Sequence, residues 1–333
     1  MKRRALVLAL GLAACVAVVS ATTMQQIKLT EGYDDVTRIT TPIYENSGLS
    51  VETAVTGGYD RKAKFVRRTG GRLPATRGPE YDLNEKVDLA ALLTEALHSE
   101  ALAMGLNRAG ASERAWRVTG TIREIYLESR QIYMGSTLFY GYMDVELQVN
   151  SPSGESQTRR LRVHNYTGGY NAGFGRRDEA ESAAAHLLVE GAQEILARLN
   201  RDLFKAPPHR DMSGKLNHLQ TAGVKGNLGE LRMVGLSGLP AAVPSLLSLV
   251  AKEGDENLRS AIIDSLAHLG SPDAVAPLSG RYAMEDEDAR WYTLKAMDYI
   301  GGSEAERLVN TLGMKDKDAA PKRLAAKIAK PAR

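Results

Sequence analysis

Residues 265–278 read SLAHLGSPDAVAPL. Apolar residues at helical spacing lead up to Leu269, Gly270-Ser271-Pro272 turns the chain, and Ala274, Val275 and Leu278 open a second apolar face. The stretch recurs. Gly270, Ala274 and Leu278 are matched by Gly301, Ala305 and Val309, each 31 residues on. Leu258-Arg259 and Ala289-Arg290 begin the two segments at the same interval, and Lys322-Arg323 begins another 33 residues later. A shorter copy starts 27 residues upstream, at Leu231-Arg232, and runs through Leu236, Leu239, Ala242, Val243, Leu246 and Val250. A fixed offset over several apolar positions predicts stacked helix pairs, each burying its apolar face only against its neighbours. The competing reading, an ordinary helical bundle with chance similarity, does not explain the constant offset. Leu266, Leu269, Val275 and Leu278 are expected in the core, leaving Tyr282, Trp291 and Tyr292 facing solvent.

An arginine at the start of the first helix, an "ALxxLG"-like end and a "pxAvxxL"-like second helix resemble short HEAT repeats. The resemblance covers residues 230–333 and implies an all-α solenoid that presents a surface to a protein partner.

The remaining sequence has a different pattern. At 333 residues the chain is long enough for two domains, and 43% apolar with 25% charged residues is the composition of an ordinary globular protein. A net charge of +3 points weakly, if at all, to nucleic acid. Residues 1–21 have the form of an export signal, with Lys2, Arg3 and Arg4 ahead of an uncharged apolar run from Ala5 to Val19. That run is short for a spanning helix, which needs about 20 residues. Leu12-Ala13-Ala14-Cys15 resembles the bacterial lipobox, which implies lipidation of Cys15, the only cysteine. Cleavage after Val19-Ser20-Ala21 and retention as an uncleaved anchor are the alternatives. Each outcome predicts export to the periplasm, with a lipid anchor as the expected attachment. With one cysteine, no disulfide forms within the chain.

Between residues 25 and 204 the expected order is strand, helix, three strands, helix. Val36–Tyr44 reads as a strand and 56–80 as a loop or weak hairpin. Val87–Leu106 reads as a helix capped by Asp88 and ended by Gly105. Three strands follow at Trp116–Leu127, Leu138–Val149 and Arg159–Tyr166, the last two joined by Ser151-Pro152-Ser153-Gly154. Ala180–Leu203 is a second amphipathic helix. That order predicts an α+β fold with helices on one face of a mainly antiparallel sheet. PIYENSG, the helix LLTEALHSEALAMGL and the strands after it are similar to YajG-type periplasmic lipoproteins and the N-terminal domain of TolB-like proteins. The resemblance implies a lipidated envelope protein and carries over no catalytic residue. Ala206-Pro207-Pro208 then opens an expected linker over 205–229.

No residue pattern marks an enzyme. His98, His164, His186, His209, His218 and His268 include no i, i+4 pair and no cysteine or paired carboxylates beside them, so no metal or other cofactor is expected. A hydrolase built on the glycine-rich 168–175 stretch, with Arg176 and Arg177 beside it, lacks a nucleophile motif. The stronger binding candidate is the basic segment with Arg61, Lys62, Lys64, Arg67, Arg68 and Arg72, continued by Arg77. In an exported protein its candidate ligands are anionic lipid, lipopolysaccharide or peptidoglycan rather than nucleic acid. Solvated charge is the plain alternative. The leading expectation is therefore a non-enzymatic envelope scaffold whose repeats bind another envelope protein.

Overall fold

The computed structural model describes residues 23–45, 50–68, 80–107, 115–133, 136–170 and 177–329. Cys15, Arg72, Arg77 and residues 171–176 of the glycine-rich stretch lie outside them. The chain divides into two compact units: Met1–Tyr33, Glu52–His98 and Arg114–Ala192 form one, and Asp34–Val51, Ser99–Glu113 and Gln193–Arg333 the other.

The first unit is a mixed sheet with helices. Its strands are β1 (Thr23–Met24), β2 (Val51–Gly57), β3 (Val66–Arg68), β4 (Asp82–Leu83), β5 (Trp116–Tyr133), β6 (Ser136–Asn150) and β7 (Ser156–Tyr170). The main sheet has the order β2-β5-β6-β7, and β3 also pairs with β5. β5, β6 and β7 are antiparallel neighbours, whereas β3 runs parallel to β5 and β1 parallel to β4. The expected antiparallel core is present, but the 56–80 segment departs from a loop or hairpin: it supplies the end of β2 and all of β3, both laid along β5.

Alternation decides which face is covered. Met143, Val145, Leu147 and Val149 of β6 are buried together with Leu161 and Val163 of β7, as a period of two requires. Helix α2 (Arg177–Leu199) lies over them, with Gly191 set against Met143 and Val163. A Cβ there would come within 2.6 Å of the Met143 side chain. Helix α1 (Leu89–Ala103) begins where the Asp88 carboxylate accepts hydrogen bonds from the amides of Ala90 and Ala91, and Gly105, at φ 84°, ends its last turn. Both residues act as their types predict.

The C-terminal region of the second unit is all-helical. It comprises α3 (Asp211–Ala222), α4 (Leu228–Leu236), α5 (Ala242–Lys252), α6 (Glu256–Leu269), α7 (Val275–Arg281), α8 (Glu287–Ile300), α9 (Gly302–Thr311) and α10 (Ala319–Ile328), and the last turns of α1 and α2 belong to the same unit. The pairs α4/α5, α6/α7 and α8/α9 are the repeats. Asp255 and Asp286 sit one repeat apart and cap α6 and α8 with their side chains. Leu266, Leu269, Val275 and Leu278 are buried as expected.

Three expectations for this unit are corrected. Val36–Tyr44 is not a strand: the Asp34 carboxylate takes the amides of Val36 and Thr37 and closes a turn, and only Tyr44 forms a β-bridge, to Pro208. Local side-chain bonding of this kind outcompetes β propensity. The 205–229 stretch, expected as a linker, contains α3, whose Met212, Leu216 and Leu219 are buried. Tyr282 and Trp291 are buried rather than solvent-facing, and Tyr292 is half-buried with its ring edge-on to Trp291 at 5.1 Å.

Candidate functional site

The first helices of the repeats carry more than apolar packing. Asp264 and Lys295 occupy equivalent repeat positions, 31 residues apart, and so do His268 and Tyr299. Asp264 and His268 are spaced i, i+4 on α6, and Lys295 and Tyr299 on α8, which sets the two side chains of each helix on one face. Lys295, His268 and Tyr299 meet Glu194, in the last turns of α2, and Asp264 joins them through Lys295. Lys295 Nζ lies 2.8 Å from Asp264 Oδ1 and 2.9 Å from Glu194 Oε1. His268 Nε2 is 2.9 Å from the same Glu194 oxygen, and the Tyr299 hydroxyl donates to the other. Next along α2, Gln193 donates to Glu100 Oε2 and to the Thr37 carbonyl, and accepts from Arg232 Nε of α4 at 3.0 Å.

This cluster is sealed. The side chains of Glu194, His268 and Lys295 are at most 2% exposed. Burial alone would push the Glu194 and Asp264 carboxyls up, but Lys295 and then His268 outweigh it and hold both below the usual carboxylate range. Burial alone would likewise lower Lys295, and Asp264 and Glu194 outweigh it, so the ammonium is retained more firmly than usual. A buried set of this kind is strongly destabilised when one partner is removed, because the remaining charge is stranded. Its chemistry is cohesion: it fastens the last turns of α2 to α6 and α8.

A second polar device explains the arginines that begin the second and third repeats, Arg259 and Arg290. Arg259 Nε lies 2.6 Å from Glu285 Oε2, and Arg290 Nε lies 2.9 Å from Asp316 Oδ2, in both cases 26 residues ahead. Arg259 also approaches Asp286, and Arg290 pairs with Asp318. Each arginine thus clasps the acidic turn that precedes the next first helix. Asp316 also accepts from the Tyr282 hydroxyl at 2.6 Å, which is why Tyr282 points inward. Sequence periodicity located these arginines, and their acidic partners keep the same period, Glu285 and Asp316 standing 31 residues apart with different residue types.

The basic segment belongs to the first unit, and its charges are partly engaged there. Arg61 Nη2 donates to the carbonyls of Glu85 and Val87, at 2.7 and 2.8 Å. Lys64 pairs with Asp82 at 2.6 Å. Arg67 pairs with Glu124 at 3.3 Å and stacks on the Tyr126 ring, 3.8 Å from its centroid. Lys62 and Arg68 are exposed. Among the described residues, the segment is thus no single cationic face. Arg61, Lys64 and Arg67 hold strands and turns together, and Arg68 ends β3 opposite Ser129.

In the repeat array the two rows of helices differ. α4, α6 and α8 are buried almost throughout, because α5, α7, α9 and the last turns of α2 cover them. The second helices keep an open side, with Pro244, Ser248 and Ala251 on α5, Ala276 and Pro277 on α7, and Glu306 and Arg307 on α9 among the exposed residues. Met284, in the turn after α7, is 72% exposed.

A family model of HEAT repeats matches residues 230–298, which places α4 to α8 in that repeat class. Among solved structures, the crystal structure of protein XCC0632 from Xanthomonas campestris, of the DUF330 family, matches at 12% identity and a TM-score of 0.32. The match covers 47% of this chain and 87% of that one. An uncharacterized protein matches at 12% identity and a TM-score of 0.27, covering 47% and 96%. At TM-scores of this size neither likeness carries a conclusion. No curated protein matches the chain.

Proposed function

We propose that this protein is a non-enzymatic scaffold of the bacterial cell envelope. An N-terminal segment holds it at a membrane, and the second-helix row of its HEAT-like array engages a partner protein. The observation that supports this reading is the asymmetry of the array. The chain's own α2 fills one side through Glu194 and Gln193, while α5, α7 and α9 keep an open face. Helical repeats offer such extended faces as binding surfaces.

The test is affinity capture from envelope extract with the full-length protein and with Ser248→Arg, Ala276→Arg and Arg307→Glu variants. Each alters an exposed position of a second helix, so folding is expected to persist. A partner retained by the wild type and lost from the variants, with unchanged circular dichroism, supports the reading. Capture indifferent to all three sinks it. The anchor is read independently: labelled palmitate is expected in the wild type and not in Cys15→Ala, and a wild type without label removes lipidation from the proposal.

A further inference from the structure

The described residues of the first unit start at Thr23, close behind the N-terminal segment. Thr23 and Met24 form β1 and pair in register with Asp82 and Leu83 of β4. The amide of Asn84 donates to the Met24 carbonyl at 3.0 Å. The Glu181 carboxylate, buried on α2, accepts from the amides of Gln25 and Gln26 at 2.7 and 3.3 Å. From Thr23 onward the chain is therefore held, and its exit point is the β1–β4 pair.

Little chain separates that point from the membrane segment of the proposed function, on which this inference rests. A lipid on Cys15 leaves eight Cα steps to Thr23, at most about 29 Å when fully extended. A retained apolar span ending at Val19 leaves four, about 14 Å. We propose that the β1–β4 pair marks the face of the first unit that is held against the lipid bilayer surface. Exposed Arg61, Lys62, Lys64 and Lys86 lie beside it, and Asp60, Asp82 and Glu85 leave only one positive charge in excess. Attachment at this face is thus set by the length of the strap and not by attraction to anionic headgroups, so it should be insensitive to salt. The opposite end of the sheet is well separated. Tyr81, next to β4, bridges to Val66, which lies opposite Leu127 of β5. Ten residues back along β5, about 33 Å, Arg117 pairs with Asn150, where the Ser151–Gly154 turn begins.

The experiment uses the full-length protein purified from host membranes and placed in vesicles containing headgroup-spin-labelled lipid. A genetically encoded fluorescent side chain stands at Lys86 in one sample and at Ser153 in another. Quenching about twofold or more stronger at Lys86, within the reach of the strap, is the expected result, unchanged at about 0.5 M salt. A flexible Gly/Ser insert of about 20 residues ahead of Thr23 should abolish the difference while the protein still floats with the vesicles. A protein that does not float overturns the membrane attachment itself. A protein that floats with Lys86 quenched no more than Ser153, or with a difference that the insert leaves intact, overturns this inference alone.

Discussion

Arg201 occupies the space that a side chain on Gly270 would need. A Cβ built on Gly270 falls 1.4 Å from Arg201 Nη1, and Gly270 itself has φ 63°. The glycine ends α6, and the arginine, from the turn after α2, fills its cradle and reaches toward the Tyr299 carbonyl at 3.5 Å. Gly270→Ala combines left-handed backbone strain with a steric clash, and a loss of about 1–3 kcal/mol is expected. Denaturant unfolding followed by circular dichroism measures it. Arg201→Ala in the same chain should recover part of the loss, leaving the backbone share; equal losses with and without the arginine would remove the clash from the explanation.

Lys295 sits between the fully buried Glu194 carboxylate and the Asp264 carboxylate, 18% exposed. Lys295→Met strands Glu194 and Asp264, and a loss of about 3–5 kcal/mol is expected. Adding Glu194→Gln should cost less than the sum of the single changes, because it removes one of the stranded charges. Additive losses in urea titrations would mean that the two side chains are not energetically coupled.

The same cluster sets an acid limit. Glu194 and Asp264 have folded-state pKa values below their unfolded ones. Their contribution is therefore fully present above the unfolded values, about 4.3 and 3.9, and is lost as pH falls from there toward the folded values. The urea midpoint of the wild type should fall below about pH 4, and Glu194→Gln should flatten that slope. An equal acid slope in both proteins would place the titrating groups elsewhere.

Arg290 closes the last clasp of the array, on Asp316 and Asp318. Arg290→Ala leaves Asp316, 2% exposed at its side chain, without its cation, and about 3 kcal/mol of local stability should go with it. Hydrogen exchange is the direct measurement: amides of α10 should lose protection while those of β5 to β7 keep theirs. Unchanged exchange across Ala319–Ile328 would show that the clasp does not hold α10.

Much of the fold was legible wherever local pattern and tertiary environment agree. The alternation of β6, the caps at Asp88 and Gly105 and the 31-residue repeat are properties of neighbours in sequence, and each element formed where its pattern lies. Val36–Tyr44 failed because Asp34 offers its backbone a turn, and β-branched composition could not reveal that competition. Tyr282 failed because an exposed place in one repeat is a buried place once the next repeat's turn arrives with Asp316. The polar cluster left a trace in the sequence, since Asp264, His268 and Lys295 interrupt otherwise apolar helix faces. Glu194, the partner of the last two, stands 74 residues before His268 and 101 before Lys295, beyond any periodic signal.

By itself, then, the sequence determined the class of each half: a helical solenoid from a period of 31, and a sheet with helices from a period of two. Periodicity encodes which face of an element is apolar, and that is enough to choose how elements layer. Tertiary structure alone decided which polar groups meet and which surface stays free. Those outcomes depend on long-range juxtaposition, where Glu194 neutralises Lys295, Arg201 fills the cradle of Gly270, and Arg67 is drawn onto Tyr126 and Glu124. A charge counted in the sequence as available for a ligand can already be committed to the fold, because burial makes an unpaired charge far more costly than a paired one.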